Sequence, residues 1–382
     1  MNFPSYVPIL NAKQGEFDAL LNTPESTHQN IFPMFEFPVF SDEILKRKKY
    51  VDLPAPKQQF IYDISQKLIN VRANTPFMFD IHNWSSDSRL ENGESVLQYA
   101  FNSLSGTGRD VYTVIGYDRW EDEEYVKTLV SIRNFSDKFS IRLESFAFDD
   151  MYEDHFFEVI DDIIERLDLI PENVNVIIDL RDVTKESITE IQQKIEKSIE
   201  SLENYNFKFA SIAGCSLTPM INEMVPERNS TGNVLRREYV AWKAIRSAYP
   251  ATNIIFGDYG IVSPKSADGI RTPHANGKIR HTIKDEYFIV RGHSRSQGNK
   301  GEQMYDLSEI VVNSHNYFGE SFSWGDLRIK NCSKKLFKGN LGGWVAIDTN
   351  HHLQFVLTDV LEFERLHKEV AAAQLLGHEV VN

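Results

Sequence analysis

The chain alternates between two kinds of apolar pattern, and that alternation constrains its fold more than any other feature. Eight short runs, at 6–10, 31–38, 76–81, 111–117, 139–145, 174–180, 207–214 and 253–260, are rich in Val, Ile, Phe or Tyr. A strand buried on both faces reads this way, because neither face meets water. Longer segments of helical period lie between the runs. In 155–169, Phe156, Val159, Ile160, Ile163 and Ile164 recur at 3–4 spacing, which lines one side of a helix. Segment 184–202 opens with Thr184, Ser187 and Glu190, a choice of capping residues.

Strand and helix in strict alternation demand right-handed crossovers and parallel pairing. Eight such strands suffice to close a barrel, so the expected class is α/β with a TIM-like (β/α)₈ barrel. An open doubly wound sheet is the competitor. It is weakened because no glycine-rich dinucleotide fingerprint follows the first strand. The pattern changes after residue 260. The expected organisation is a barrel over 1–318 with a hairpin insertion at about 261–300, and a C-terminal extension over 319–382 packed on it. GKIRHTIKDEYFIVRG carries the hairpin, a helix at roughly 303–317 serves as the eighth barrel helix, and HHLQFVLTDVLEF and AAAQLLG supply two more helices.

Charge and cysteine usage limit the partners. A formal net charge of −14 argues against a broad nucleic-acid surface, since phosphate neutralisation supplies most of that affinity. Arg236, Arg237, Lys243 and Arg246 cluster at helical spacing and are expected on a solvated helix face. Two distant cysteines, Cys215 and Cys332, supply neither a disulfide framework nor a cysteine-based zinc site. The opening MNFPSYVPIL lacks the pattern of a signal peptide. No apolar run approaches the length of a membrane span, and a cytoplasmic location with no membrane partner is expected.

In a closed barrel, chemistry belongs at the C-terminal ends of the strands, where residues two apart share a side. The sixth run, VNVIIDL, leads into Asp179, Arg181 and Asp182. The second run ends in Glu36, the third in Asp80 and His82, the fifth in Arg142 and Glu144, and the eighth in Asp258 or Tyr259. Lys13 and Glu16 follow the first. Buried ions need partners. An internal lattice pairing Arg142 with Glu36 and Arg181 with Glu144 is one solution; a ligand site built on such a lattice is the other. Glu36, Asp80, Glu144 and Asp179 are the candidate catalytic residues, as acids and bases or as oxygen ligands to a divalent metal with His82 as a nitrogen ligand. Lys13, Arg142, Arg181, Tyr259 and Arg291 are candidates to hold a small anionic molecule, phosphate-bearing or a nucleotide.

Weaker signals accompany these. Gly214, Ser216, Thr218, Gly257 and Gly260, in the loops after the seventh and eighth strands, suit close approach to an oxyanion and equally make ordinary turns. Arg291, His293 and Arg295 alternate along a strand and form a cationic lid if that strand covers the mouth; Trp324 and Asp326 close it in the same way. Cys215 reads as a buried small hydrophobe before a nucleophile. His351 and His352 are adjacent, so they point to different sides of a helix, in capping or packing roles.

The opening YVPILNAKQGEFDAL, followed by IFPMFEFP, resembles the beta protein family, found in bacteria and named from a tailed-bacteriophage protein. The matching positions are Tyr6 to Leu10, Lys13, Gly15, Glu16, Leu20, Pro33 and Glu36, with Trp324, Gly325, Asp326, Trp344, Asn350, His351 and His352 later. Asn11 and Ala12 depart from the bulkier or basic residues of the family pattern. The resemblance implies an α/β barrel of uncharacterised activity in a setting of phage–host conflict, and supplies no catalytic residues. The expected function is a barrel enzyme of hydrolytic type acting on an anionic small molecule; the alternative is a catalytically silent module that binds a protein partner.

Overall fold

The computed structural model describes residues 3–72, 75–106, 110–266, 275–297 and 301–379, with side chains through 369. Its strands are β1 (Tyr6–Asn11), β2 (Met34–Glu36), β3 (Phe77–Asp80), β4 (Val111–Gly116), β5 (Phe139–Leu143), β6 (Asn175–Asp182), β7 (Phe209–Cys215), β8 (Ser230–Leu235), β9 (Ile254–Asp258), β10 (Asn276–Ile283) and β11 (Glu286–Ser294). Strands β1 to β7 and β9 form a closed barrel in that order, all pairs parallel, with Val7 of β1 opposite Gly257 of β9 at the seam. The fold is α/β with a closed eight-stranded parallel barrel, consistent with the TIM-like type, and each of the eight apolar runs supplies one barrel strand.

Alternation along the strands explains the uninterrupted hydrophobicity. Val7, Ile9, Met34, Met78, Val114, Ile177 and Ala213 share one buried cluster. Their neighbours Tyr6, Leu10, Phe35, Phe77, Ile141 and Phe256 belong to a larger cluster shared with the surrounding helices. The helix Asp154–Arg166 buries Phe156, Ile160 and Ile163, each contributing roughly 1.5–3 kcal/mol. The helix Ile188–Leu202 starts at a capping box formed by Ser187 and Glu190, a device that stabilises a helix by about 1 kcal/mol.

Three features differ from the sequence expectation. The helix Gln303–Asn313 packs on β10, β11 and the helix Trp324–Ser333, and not on the barrel. The barrel's eighth flank is instead covered by the long last helix, Leu341–Glu379, whose Leu353, Val356, Leu357 and Val360 join the outer barrel cluster. That helix is continuous through AAAQLLG, so the two helices expected there are one. Strand β8 lies where helix was expected to begin. It joins the hairpin β10–β11 in a three-stranded antiparallel sheet, order β10-β11-β8.

The basic cluster at 236–246 is not a solvated face. Arg236 is fully buried, stacked 4.3 Å from the Tyr239 ring, with Asp258 3.7 Å away. Arg246 pairs with Glu364 at 2.7 Å, and Lys243 pairs with Asp285. The physical reason is local: the last helix and the β10–β11 turn present carboxylates to this helix, which the sequence spacing does not reveal. Among the described residues no helix is long and apolar enough to cross a membrane.

Candidate functional site

The strand-end charges converge. Arg142 stands at the C-terminal end of β5 with its side chain fully buried. Its Nε donates to Asp179 Oδ2 (2.9 Å), Nη1 to Asp80 Oδ2 (2.7 Å), and Nη2 to Glu36 Oε1 (2.6 Å) and Tyr259 Oη (2.9 Å). Tyr259 in turn donates to Asp179 Oδ2 at 2.6 Å. Glu36, Asp80, Arg142 and Asp179 come from β2, β3, β5 and β6, and Tyr259 follows β9, so one guanidinium ties five staves of the barrel together. Burial disfavours its charge, but Glu144, Tyr259, Asp179 and Glu36 overcome that and raise its pKa well above the ordinary arginine value.

A second guanidinium reaches the same layer by a route the sequence conceals. Arg119 lies in the turn after β4, and its Nη2 meets Asp80 Oδ1 at 2.8 Å. The space it folds into exists because residue 116 is glycine: a Cβ there would sit 2.2 Å from Arg119 Nε. Burial pushes the Asp80 carboxyl up, yet Arg119 and Arg142 hold it below the usual carboxylate range.

The open edge of this layer belongs to three residues. Arg181 and His82 are a quarter or so exposed, at 25% and 23% of their side chains, while Glu144 behind them is 4% exposed. Arg181 Nη1 donates to Glu144 Oε1 (2.9 Å) and to His82 Nε2 (2.7 Å). His82 Nε2 must therefore carry the lone pair, and its Nδ1–H points at Glu144 Oε2, 3.1 Å away. Burial raises the Glu144 carboxyl, but Arg142 and the His82 and Arg181 contacts hold it far below its ordinary value. Arg181 takes a left-handed backbone, φ +54°, where the β6 register shifts between Asp179 and Asp182. A non-glycine residue in that region costs on the order of 1 kcal/mol, held here by the Arg181 N–H bond to Asp179 Oδ1 (2.9 Å).

The structure thus brings together Glu36, Asp80, Glu144, Asp179, Arg142, Arg181 and Tyr259, with both anticipated pairs formed: Arg142–Glu36 at 2.6 Å and Arg181–Glu144 at 2.9 Å. It settles the choice at the eighth strand: Tyr259 faces the cluster, while Asp258 faces outward to Tyr6 and His352. Lys13 and Arg291 sit elsewhere. Lys13 precedes the helix Gln14–Leu21 and lines a cavity of about 480 Å³ with Phe17, Phe60 and Lys67. Arg291 donates to the carbonyls of Val225 (2.7 Å) and Pro226 (2.6 Å) beside β8. The donor set does not fit a divalent cation at the rim. Glu36, Asp80 and Asp179 already converge on Arg142, and a metal at their centre would occupy the place of its guanidinium.

The small loop after β7 is likewise committed. Ser216 donates to the buried Glu238 carboxylate and accepts from the Arg237 N–H at 2.9 Å. Burial pushes the Cys215 thiol well above its ordinary value, with Glu238 acting in the same direction, which leaves it unreactive. Burial also pushes the Glu238 carboxyl up to about 7 from its ordinary 4.5. The folded protein then keeps a proton that the unfolded chain releases, so this group's contribution to stability falls as pH rises from about 4.5 to about 7. Glu238→Gln should remove that slope. Compared with the wild type, the variant should gain roughly 3 kcal/mol between pH 4 and pH 8, measured by urea unfolding across that range.

His351 and His352 do point to different sides, and neither caps a helix. His351 Nδ1 lies 2.8 Å from Asp326 Oδ2 and its Nε2 lies 2.8 Å from the Thr282 carbonyl. Two acceptors call for two N–H groups, and despite burial the Asp326 carboxylate raises the His351 pKa. Its ring stacks 3.7 Å from that of His281, which burial and His351 push down to about 3. His281, Asp326 and His351 place ligand atoms within 4.8 Å of one another. Both His351 nitrogens are committed to acceptors, and the near-parallel rings (17°) do not aim at a common point. His352 Nε2 donates to Asp258 Oδ2 (3.0 Å) while its Nδ1 accepts from the Thr282 hydroxyl (2.7 Å). Trp324 and Asp326 therefore belong to this interface with the last helix. They meet the last helix through Gly325–Asn350 and Asp326–His351 and do not close the barrel mouth as expected.

A family model described as Beta protein matches residues 6–358. No curated protein matches the chain. A solved structure of UDP-N-acetylglucosamine 2-epimerase from Rickettsia bellii aligns over 94% of this chain and 96% of its own at 10% identity, with a TM-score of 0.20. A similarity that low supports no inference about shared fold or chemistry.

Proposed function

The chain belongs to the Beta protein family, and on that premise we propose that the barrel rim binds an anionic, phosphate-bearing small molecule and hydrolyses it. The observation that carries this is the exposed edge: a guanidinium on strained backbone beside an imidazole oriented by a buried carboxylate. In this reading Arg181 holds the anion. When it turns toward the ligand, His82 Nε2 is released with its lone pair free to take a proton from water. The water oxygen bonds to phosphorus as the ester P–O bond breaks, Glu144 stabilises the imidazolium that forms, and the imidazolium returns its proton to the departing ester oxygen. Asp80, Asp179 and Glu36 hold Arg142, which fixes the strand bearing Glu144, so their part is positional. The sheet and helices beyond β9 are then an elaboration of the barrel, and phage–host conflict is the setting this proposal adopts.

The test is phosphate release from a panel of phosphomonoesters and phosphodiesters. His82→Gln should lower the turnover on the order of 10²–10³-fold with little change in melting temperature, because His82 is partly exposed. No turnover by the wild type on any member, or equal turnover by the variant, would sink the proposal. A silent module that binds a protein is the second reading. It is favoured by the saturation of Arg142 and by Phe146 and Tyr152, 63% and 73% exposed just past β5.

A further inference from the structure

A second concentration of charge lies outside the carboxylate layer. The loop after β7, the loop after β9 and the hairpin β10–β11 enclose a cavity of about 580 Å³. Four cations line it: Lys278, Arg280, Arg291 and Arg295. Asp348 answers Arg280, with Nε 3.1 Å from Oδ2. Among the described residues no carboxylate lies within ion-pair distance of Lys278, Arg291 or Arg295, although Asp348 also acts on Lys278 from further off. Arg291 is held in place by the Val225 and Pro226 carbonyls, and its Nε is buried without a partner. In a chain of net charge −14, four cations that share one carboxylate, Asp348, among the described residues raise the free energy of the fold unless an anion completes the site.

The strain of this arrangement falls on Lys278. Its ammonium is pushed down to about 8, chiefly by Arg280 and then by burial. The wall facing the cations is apolar, with Met220, Ile221 and Trp344. The volume falls in the range that encloses a small organic ligand. Guanidinium forks and an ammonium bind tetrahedral oxyanions through charge-assisted hydrogen bonds, and an apolar wall receives the organic part that a bare ion lacks.

We propose that this cavity binds the phosphoryl group of a small phosphate ester, with Arg291 as a fixed contact, Lys278 and Arg295 as adjustable ones, and the ester's carbon portion against Trp344. The site stands on its own residues and does not need the rim to be catalytic.

Calorimetric titration of the full chain with sulfate and with phenyl phosphate tests it. Phenyl phosphate should bind more tightly than sulfate, because only it reaches the apolar wall. Lys278→Gln and Arg295→Gln should each weaken both on the order of tenfold. Neither side chain has an ion-pair partner to orphan among the described residues, so both variants should fold; Lys278→Gln should unfold at the same or a higher temperature, having lost its repulsion with Arg280. Sulfate keeps its charge between pH 7 and 9.5, so weakening of its affinity as pH rises through about 8 reports the Lys278 proton. No binding of either probe, or unchanged binding in both cavity variants, overturns the proposal.

Discussion

Arg142→Met should destabilise the protein on the order of 3–5 kcal/mol, the largest single loss expected outside catalysis. The substitution keeps an unbranched, apolar stem and removes the charge. What remains is four carboxylates, Glu36, Asp80, Glu144 and Asp179, all nearly or fully buried, with Arg119 and Arg181 left to balance them. Repulsion among them is relieved only by taking up protons, so the loss should be greatest above the ordinary carboxylate range and shrink in mild acid. Urea denaturation at pH 7 and pH 5 measures both. Adding Asp80→Asn and Asp179→Asn to Arg142→Met should recover a large part of the stability. If the single variant were as stable as the wild type, the rim would not be the electrostatic keystone that its hydrogen bonds describe.

Gly325→Ala should cost on the order of 2–3 kcal/mol. A methyl at this position would lie 2.4 Å from the carbonyl oxygen of Ile347 and 3.0 Å from the amide nitrogen of His351. Those are backbone atoms of the last helix, so the helices must part instead of a side chain turning away. Parting them stretches the Gly325 N–H bond to Asn350 Oδ1 (2.8 Å) and the Asp326–His351 pair (2.8 Å). Thermal unfolding checks the loss. Asp326→Asn serves as the comparison, since it weakens the charge pair and leaves the spacing intact. A Gly325→Ala protein with unchanged stability would mean that this contact is not close in solution.

How far the sequence reaches is set by what is local. The eight apolar runs were legible because both faces of a barrel strand are buried, which leaves a run with no polar alternation to confuse it. The convergence of Glu36, Asp80, Arg142 and Asp179 was legible because a two-residue period and closure of the barrel together fix which side chains share the mouth. Arg119 was not legible. It sits beyond its strand and returns over Gly116, a path that depends on a missing side chain. β8 was missed because STGNVL is half exposed, and its partner β11 lies some fifty residues on, so nothing nearby marks it as a strand. The helix Gln303–Asn313 was seen as a helix but given the wrong surface, since an apolar stripe does not say what covers it. The cationic cavity was half visible: Arg291 and Arg295 stood out by alternation, while Lys278 and Arg280 gain meaning only once antiparallel pairing sets Lys278 opposite Arg291.

The last helix carries its two histidines in succession, one bonded to the barrel through Asp258 and one to the outer layer through Asp326. Consecutive residues on a helix are about 100° apart, so a single rotational setting satisfies both, and any twist that frees one also frees the other. The pair pins the last helix to cylinder and outer sheet at adjacent positions, beside the Arg280–Ile261, Tyr287–Gly260 and Arg236–Lys284 bonds that also hold the two together.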